Sequence, residues 1–200
     1  MNEATVHDVA ARMYRNGWMR GTSGNISRRV ERDPLVIEVS ASGVAKDRLG
    51  PEDALRVDAV GLLLPGQSGT PSAEARVHAA IAQEADAGGV VHVHLHSSVL
   101  AAALSPGGVP LAHIEQLKGL GVPADERVVV PVVPNSQDMA ELSGWILGSL
   151  DPRIPAVIVA GHGVYVWGQD LEEAAQRTES LDWLLHLNVE CHRLGITSMS

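Results

Sequence analysis

Residues 87–114 carry no Asp, Glu, Lys or Arg. An uncharged run of that length is either a membrane span or the buried centre of a globular fold. It holds four histidines and two prolines, with glycines among them. A lipid-facing helix does not carry that load, because its backbone and imidazoles would lack partners. The run therefore reads as a buried strand followed by a helix, and the remaining chain must supply layers to cover both. At 200 residues, 45% hydrophobic and 20% charged, the sequence has enough apolar side chain to do so as a single domain over residues 1–200. Phe is absent, so the core must be Val, Leu, Ile and Ala.

Periodicity places the other elements. Val6, Val9, Ala10 and Met13 recur at helical spacing from about Glu3 to Asn16, with Gly17 in capping position. Leu35–Ser40 reads as a strand, as do Arg127–Val133, Ala156–Ala160 and Val164–Trp167. Ser72 is a candidate N-cap for a helix to about Ala85. Within the uncharged run, Gly89–Leu95 alternates as a strand and Ser97–Leu104 reads as a helix. Ser136–Leu150 reads as a further helix, and Asp170-x-x-Glu173 opens the last one. Strands mixed with helices predict an α/β sandwich. The net charge of −9 gives no basic footprint, which argues against nucleic acid and anionic membrane as partners. Cys191 is the sole cysteine, and the N-terminal residues lack a signal-peptide pattern; a reducing, cytoplasmic setting is expected.

His92-Val-His94-Leu-His96 is the sharpest chemical feature. On a strand, side chains at i, i+2 and i+4 share a face, and two imidazoles so placed can chelate one ion. Zinc favours imidazole nitrogen, and a catalytic site needs three ligands and an open position. His162, between Gly161 and Gly163, is the candidate third ligand, though a turn histidine is the plain alternative. His7, His78, His186 and His192 lie in helices and read as surface or interface groups. Hydroxyl- and glycine-rich loops at Ser23-Gly24-Asn25, Ser42-Gly43 and Ser72 can hold a phosphate, the last at a helix N-terminus. Lys46 either adds a positive charge there or is a solvated loop lysine. Glu74 and Glu115 are the carboxylates for proton work; Glu115 otherwise forms a surface pair with Lys118.

Taken together, Thr22-Ser-Gly-Asn-Ile-Ser27, Ser40-Ala-Ser-Gly43, Pro71-Ser-Ala-Glu74, His92-Val-His94 and His162 resemble the class II aldolase/adducin family over roughly residues 5–195. The resemblance implies a three-layer α/β/α sandwich with a mostly antiparallel central sheet. It also implies Zn2+ held by His92, His94 and His162, and a homotetramer with active sites at subunit interfaces. Gly161–Gly168, His113-x-Glu115-x-x-Lys118, Ser42–Lys46 with Pro51-Glu-Asp53, and Pro134–Asp138 are similar to the family's sugar-phosphate dehydratases of methionine salvage. Those act on 5-methylthioribulose 1-phosphate. In them the glutamate matching Glu115 is the acid/base; in the aldolases the glutamate matching Glu74 is the base. Leu95 and His96 depart from the dehydratase pattern. The expected activity is dehydration of 5-methylthioribulose 1-phosphate or a close 5-deoxy analogue. Aldol cleavage of a deoxy-ketose 1-phosphate is the alternative, and a non-catalytic adducin-head-like module a third.

Overall fold

A computed structural model describes residues 4–196. Among the described residues, nine strands and five α-helices follow one another. Seven strands form one sheet, in the order β3 (Ala54–Asp58), β2 (Leu35–Ser40), β1 (Asn25–Arg32), β4 (Gly89–Val93), β9 (Gly163–Gly168), β8 (Ala156–Val159), β7 (Val132–Val133). Only the β7–β8 pairing is parallel; the other neighbours are antiparallel. The uncharged run supplies β4 at its centre, buried at every residue.

Alternation along the strands sorts side chains to two faces. Val91 and Val93 of β4, with Val164 and Val166 of β9, join the larger core. That face is covered by α1 (Val6–Arg15), α3 (His96–Leu104) and the 23-residue α5 (Leu171–Arg193), together with a two-stranded sheet of β5 (Val109–Ala112) and β6 (Arg127–Val130). Val90, Tyr165 and Trp167 point the other way, against Val77 and Ile81 of α2 (Ala75–Glu84) and Leu142 and Ile146 of α4 (Met139–Gly148). The result is the expected three-layer α/β/α sandwich.

Several elements differ locally from their sequence patterns. Glu3, the expected start of the first helix, lies outside the described residues; Thr5 caps α1, its hydroxyl accepting from Asp8 N at 3.2 Å. Ser72 does not cap α2. It sits two residues before the N-cap, Glu74, and accepts from Glu74 N at 3.2 Å; the helix begins at Ala75. The expected strand Arg127–Val133 is two strands, because Pro131 has no N–H to continue a ladder. β6 pairs with β5, whereas β7 joins the main sheet. β4 ends at Val93 and His96 opens α3, so His96 leaves the face shared by His92 and His94 and is exposed. β1 is the largest omission of the pattern reading. Its residues are mostly polar, and its buried half is Asn25, Ile26 and Ser27.

Candidate metal centre and active site

β4 and β9 lie antiparallel, with His92 opposite Tyr165. Both side chains point toward α2, and their rings stack at 4.2 Å between centroids, 19° apart. His92 is fully buried. Its Nδ1 lies 3.1 Å from the Val164 carbonyl. A carbonyl only accepts, so Nδ1 carries the proton and Nε2 a lone pair. That Nε2 faces His94 Nε2 at 3.2 Å. His162 enters from the β8–β9 turn, where Gly161 takes φ +67°. Its ring lies 4.9 Å from that of His92 and 4.7 Å from that of His94. Gly163 has no side chain for a reason: a Cβ there would meet Val93 O and the His94 ring.

The three imidazoles offer one nitrogen each within 4.8 Å of one another. Two imidazole nitrogens on one tetrahedral zinc, at about 2.0–2.1 Å from it, sit roughly 3.3 Å apart. The His92–His94 separation fits that distance. His162 Nδ1 is the one buried side-chain polar atom lacking a hydrogen-bond partner among the described residues. The carbonyl bond that fixes the His92 tautomer is the usual support behind a metal-binding imidazole. The residues thus fit a divalent ion, with His92 and His94 side by side and His96 apart from them.

Glu74 sits against this cluster. Its Oε2 accepts from Asn25 Nδ2 at 2.5 Å and lies 3.5 Å from His92 Nε2. Its Oε1 accepts from the Tyr165 hydroxyl at 3.0 Å and lies 3.7 Å from His162 Nε2. Burial pushes its pKa up, but His92, the Asn25 bond, His162 and Tyr165 together outweigh burial and bring it down to about 2. Burial lowers His92 to about 3, against the pull of Glu74. Burial likewise lowers His94. Neutral imidazoles are the form that binds metal.

A cleft of about 300 Å³ opens beside the cluster. Glu74, His94 and His162 line one side. Ser23, Gly24, Asn25, Ser42, Lys46 and Ser72 line another, so three separate loops meet at this cleft. Gly24 takes φ +74°, and a Cβ would lie 2.8 Å from His92 O, so only glycine lets this loop press on β4. Gly43 is exposed and outside the lining; at φ +77° it turns the chain between Ser42 and Lys46. Lys46 is not a solvated loop residue: it is 2% exposed, its Nζ donating to Ala41 O at 3.3 Å. Burial lowers its pKa, opposed by Asp53 and Glu74.

Glu115 lies elsewhere. It starts a 3-10 turn, Glu115–Leu120, on the opposite layer, with its side chain 79% exposed and 2.6 Å from Lys118. It does not line this chain's cleft. Pattern reading missed Ser136, Gln137 and Met139, which form a third wall from the loop before α4 and its first residue. It also misplaced His78, which is fully buried beneath Glu74 rather than at a surface. His78 Nδ1 lies 2.7 Å from Ser27 Oγ, and its Nε2 is hydrogen-bonded to Asn25 Oδ1. Burial brings its pKa down to about 4, with Glu74 opposing. The signal was present in the sequence as a histidine one turn beyond Glu74, on the face of α2 that carries Ala75 and Ala79.

The sequence matches the Class II Aldolase and Adducin N-terminal domain over residues 4–189. The chain belongs to that family. It is 40% identical over 181 residues to a methylthioribulose-1-phosphate dehydratase of Methylococcus capsulatus, covering 88% of this chain and 87% of that protein. A methylthioribulose-1-phosphate dehydratase of Persephonella marina is 32% identical over 182 residues, covering 90% and 85%. Among solved structures, the L-fuculose-1-phosphate aldolase of Thermus thermophilus superposes with a TM-score of 0.72 at 27% identity, covering 96% of this chain and 95% of that one. The class II aldolase fold and the histidine cluster together indicate a metal-dependent lyase.

Proposed function

We propose that the protein dehydrates 5-methylthioribulose 1-phosphate, or a close 5-deoxy-pentulose 1-phosphate, to the 2,3-diketo 1-phosphate, as a step of methionine salvage in the cytoplasm. Dehydratases of that name at 32–40% identity support the substrate class. One observation carries the chemistry: the Glu74 carboxylate, its side chain 14% exposed, stands against three converging imidazoles in a cleft that also reaches the buried Lys46.

His92, His94 and His162 would hold the ion, which we take to be zinc from the all-imidazole donor set. When bound, it supplies Lewis acidity that draws electron density from a ketone and acidifies the neighbouring C–H. Lys46, Ser23, Ser42 and Ser72 take the phosphate, with Gly24 and Gly43 shaping the loops around it. A buried ammonium whose contact is a carbonyl gains most from a doubly charged ligand. Asn25 is committed to Glu74 and His78, so it orders the wall rather than binding phosphate.

Glu74 accepts the proton from C3. The C4–O bond then breaks, and the hydroxyl leaves as water with a proton from Glu115. The resulting C3–C4 enol takes a proton at C4 and loses the one on its C3 oxygen, so one water is lost overall. Glu115 stands outside its own chain's cleft. It therefore serves the cleft of a neighbouring subunit in a homotetramer whose sites lie at subunit interfaces.

Aldol cleavage to dihydroxyacetone phosphate and an aldehyde is the second reading. It is favoured by the contact of Glu74, rather than Glu115, with the imidazoles. Incubating zinc-loaded protein with 5-methylthioribulose 1-phosphate and following 13C and 31P spectra separates the two. The diketone is expected. Dihydroxyacetone phosphate would establish the aldolase instead. No turnover by fully metallated protein would leave the adducin-like module.

A further inference from the structure

We propose that His78 is a positioning residue that fixes the Glu74 carboxylate through Asn25. The inference rests on the reading of Glu74 as the proton acceptor. It comes from the direction of a buried hydrogen-bond chain.

Asn25 presents its Nδ2 to Glu74 Oε2, an amide donor meeting a carboxylate oxygen. The amide oxygen of Asn25 then faces His78, which must donate from Nε2. His78 Nδ1 is left with a lone pair, and the Ser27 hydroxyl donates to it at 2.7 Å. Every donor therefore points toward Glu74, from Ser27 through His78 and Asn25. The Tyr165 hydroxyl fixes the other carboxylate oxygen from the opposite side.

The placement follows from the fold. Asn25 and Ser27 are two apart on β1 and share the face toward α2. Glu74 and His78 are four apart, which stacks them one turn of helix from each other. Ser27, His78 and Asn25 are each under 5% exposed, so water does not replace a lost partner. Without the Nε2–H of His78, the Asn25 oxygen is unpaired and the amide is free to turn. Turned, it would set an oxygen against the carboxylate and push Glu74 away from the imidazoles. A shift of about 1 Å in a reacting group is enough to cost turnover on the order of a hundredfold.

The hydrogen-bond chain is tested first without turnover. Imidazole 15N spectra of the wild type near pH 7.5 should show one histidine with a slowly exchanging Nε2–H and an unprotonated Nδ1. That signal should vanish in His78→Gln. A proton on Nδ1 of His78 overturns the proposal, whether or not the protein acts on any sugar phosphate. Kinetics on the sugar phosphate then ask whether the chain acts through Glu74. His78→Phe should lower kcat by about tenfold or more with KM within about twofold, and His78→Gln, which keeps an N–H donor, should recover most of the loss. In a Glu74→Gln background the His78→Phe loss should shrink to under about twofold. An equal loss in both backgrounds overturns the proposal, because His78 would then support only the fold. If His78→Phe does not fold, Ser27→Ala replaces it, with about a threefold loss expected that disappears in Glu74→Gln; no loss at all overturns the proposal. If the wild type turns over no sugar phosphate, the functional reading fails, and the 15N spectra alone decide the link from His78 to Glu74.

Discussion

Glu74 and Glu115 are the same residue type, each followed by a helical turn, and the fold treats them oppositely. Glu74 precedes α2 with its side chain 14% exposed, held by Asn25 and Tyr165 beside three imidazoles. Glu115 opens a 3-10 turn with its side chain 79% exposed and Lys118 as its neighbour. In the first region every donor is fixed by the sheet or by α2, so the charge is held by preorganised dipoles. In the second, solvent screens the pair, and the carboxylate is free to meet another surface. On the proposed function, a carboxylate pair divided in this way would be complete only where two subunits meet.

The largest effect should come from the imidazoles that distinguish the first region. His92→Ala should reduce bound metal from about one ion per chain to background and turnover by about 10⁴-fold or more, because the Lewis acidity would be lost with the ion. Full metal content by elemental analysis in that variant would remove the basis of the comparison. Next, Glu74→Gln and Glu115→Gln should each lower kcat by about 10²–10⁴-fold. Mixing the two inactive variants and reassembling them should restore part of the activity, because hybrid clefts would pair an intact Glu74 with a partner's intact Glu115. No recovery in mixed oligomers would confine both carboxylates to one chain.

Acid should weaken the first region. The folded-state value of His78 lies near 4. Its unfolded value is about 6.5. Between those limits the unfolded chain binds more protons than the folded one. Its contribution is intact above about pH 6.5 and declines as pH falls toward 4, by roughly 3 kcal/mol in all. Urea midpoints measured from pH 7 to 4.5 should fall, and His78→Gln should flatten the slope; a parallel decline in both proteins would exclude His78 as the source. The smallest effect belongs to the second region. Lys118→Ala should change stability by no more than about 0.5 kcal/mol in thermal melts, as for an exposed pair.

The sheet's central strand was legible because β4 is apolar on both faces and bounded by Gly89. β1 was not, because the residues on its buried face are the polar groups of the site. Asn25 and Ser27 stand where a strand would ordinarily carry Val, so composition reported a loop. Pro131 shows the reverse case: two strands in different sheets looked like one run, since both are Val-rich. The three phosphate-binding candidates were legible as loops, but nothing local said that Lys46 would be buried among them.

The sequence alone determined the layered α/β class, the paired imidazoles at the end of β4 and the residue types that the chemistry needs. These are local matters of side-chain period and spacing along one element. Which carboxylate meets the imidazoles, and that His78 lies under it rather than in solvent, depended on the β1–β4 and β4–β9 registers and on how α2 lies across them. Those pairings join residues far apart in the chain. Hydrogen-bond direction and desolvation arise only once such residues are in contact, which is why the tertiary structure decided them.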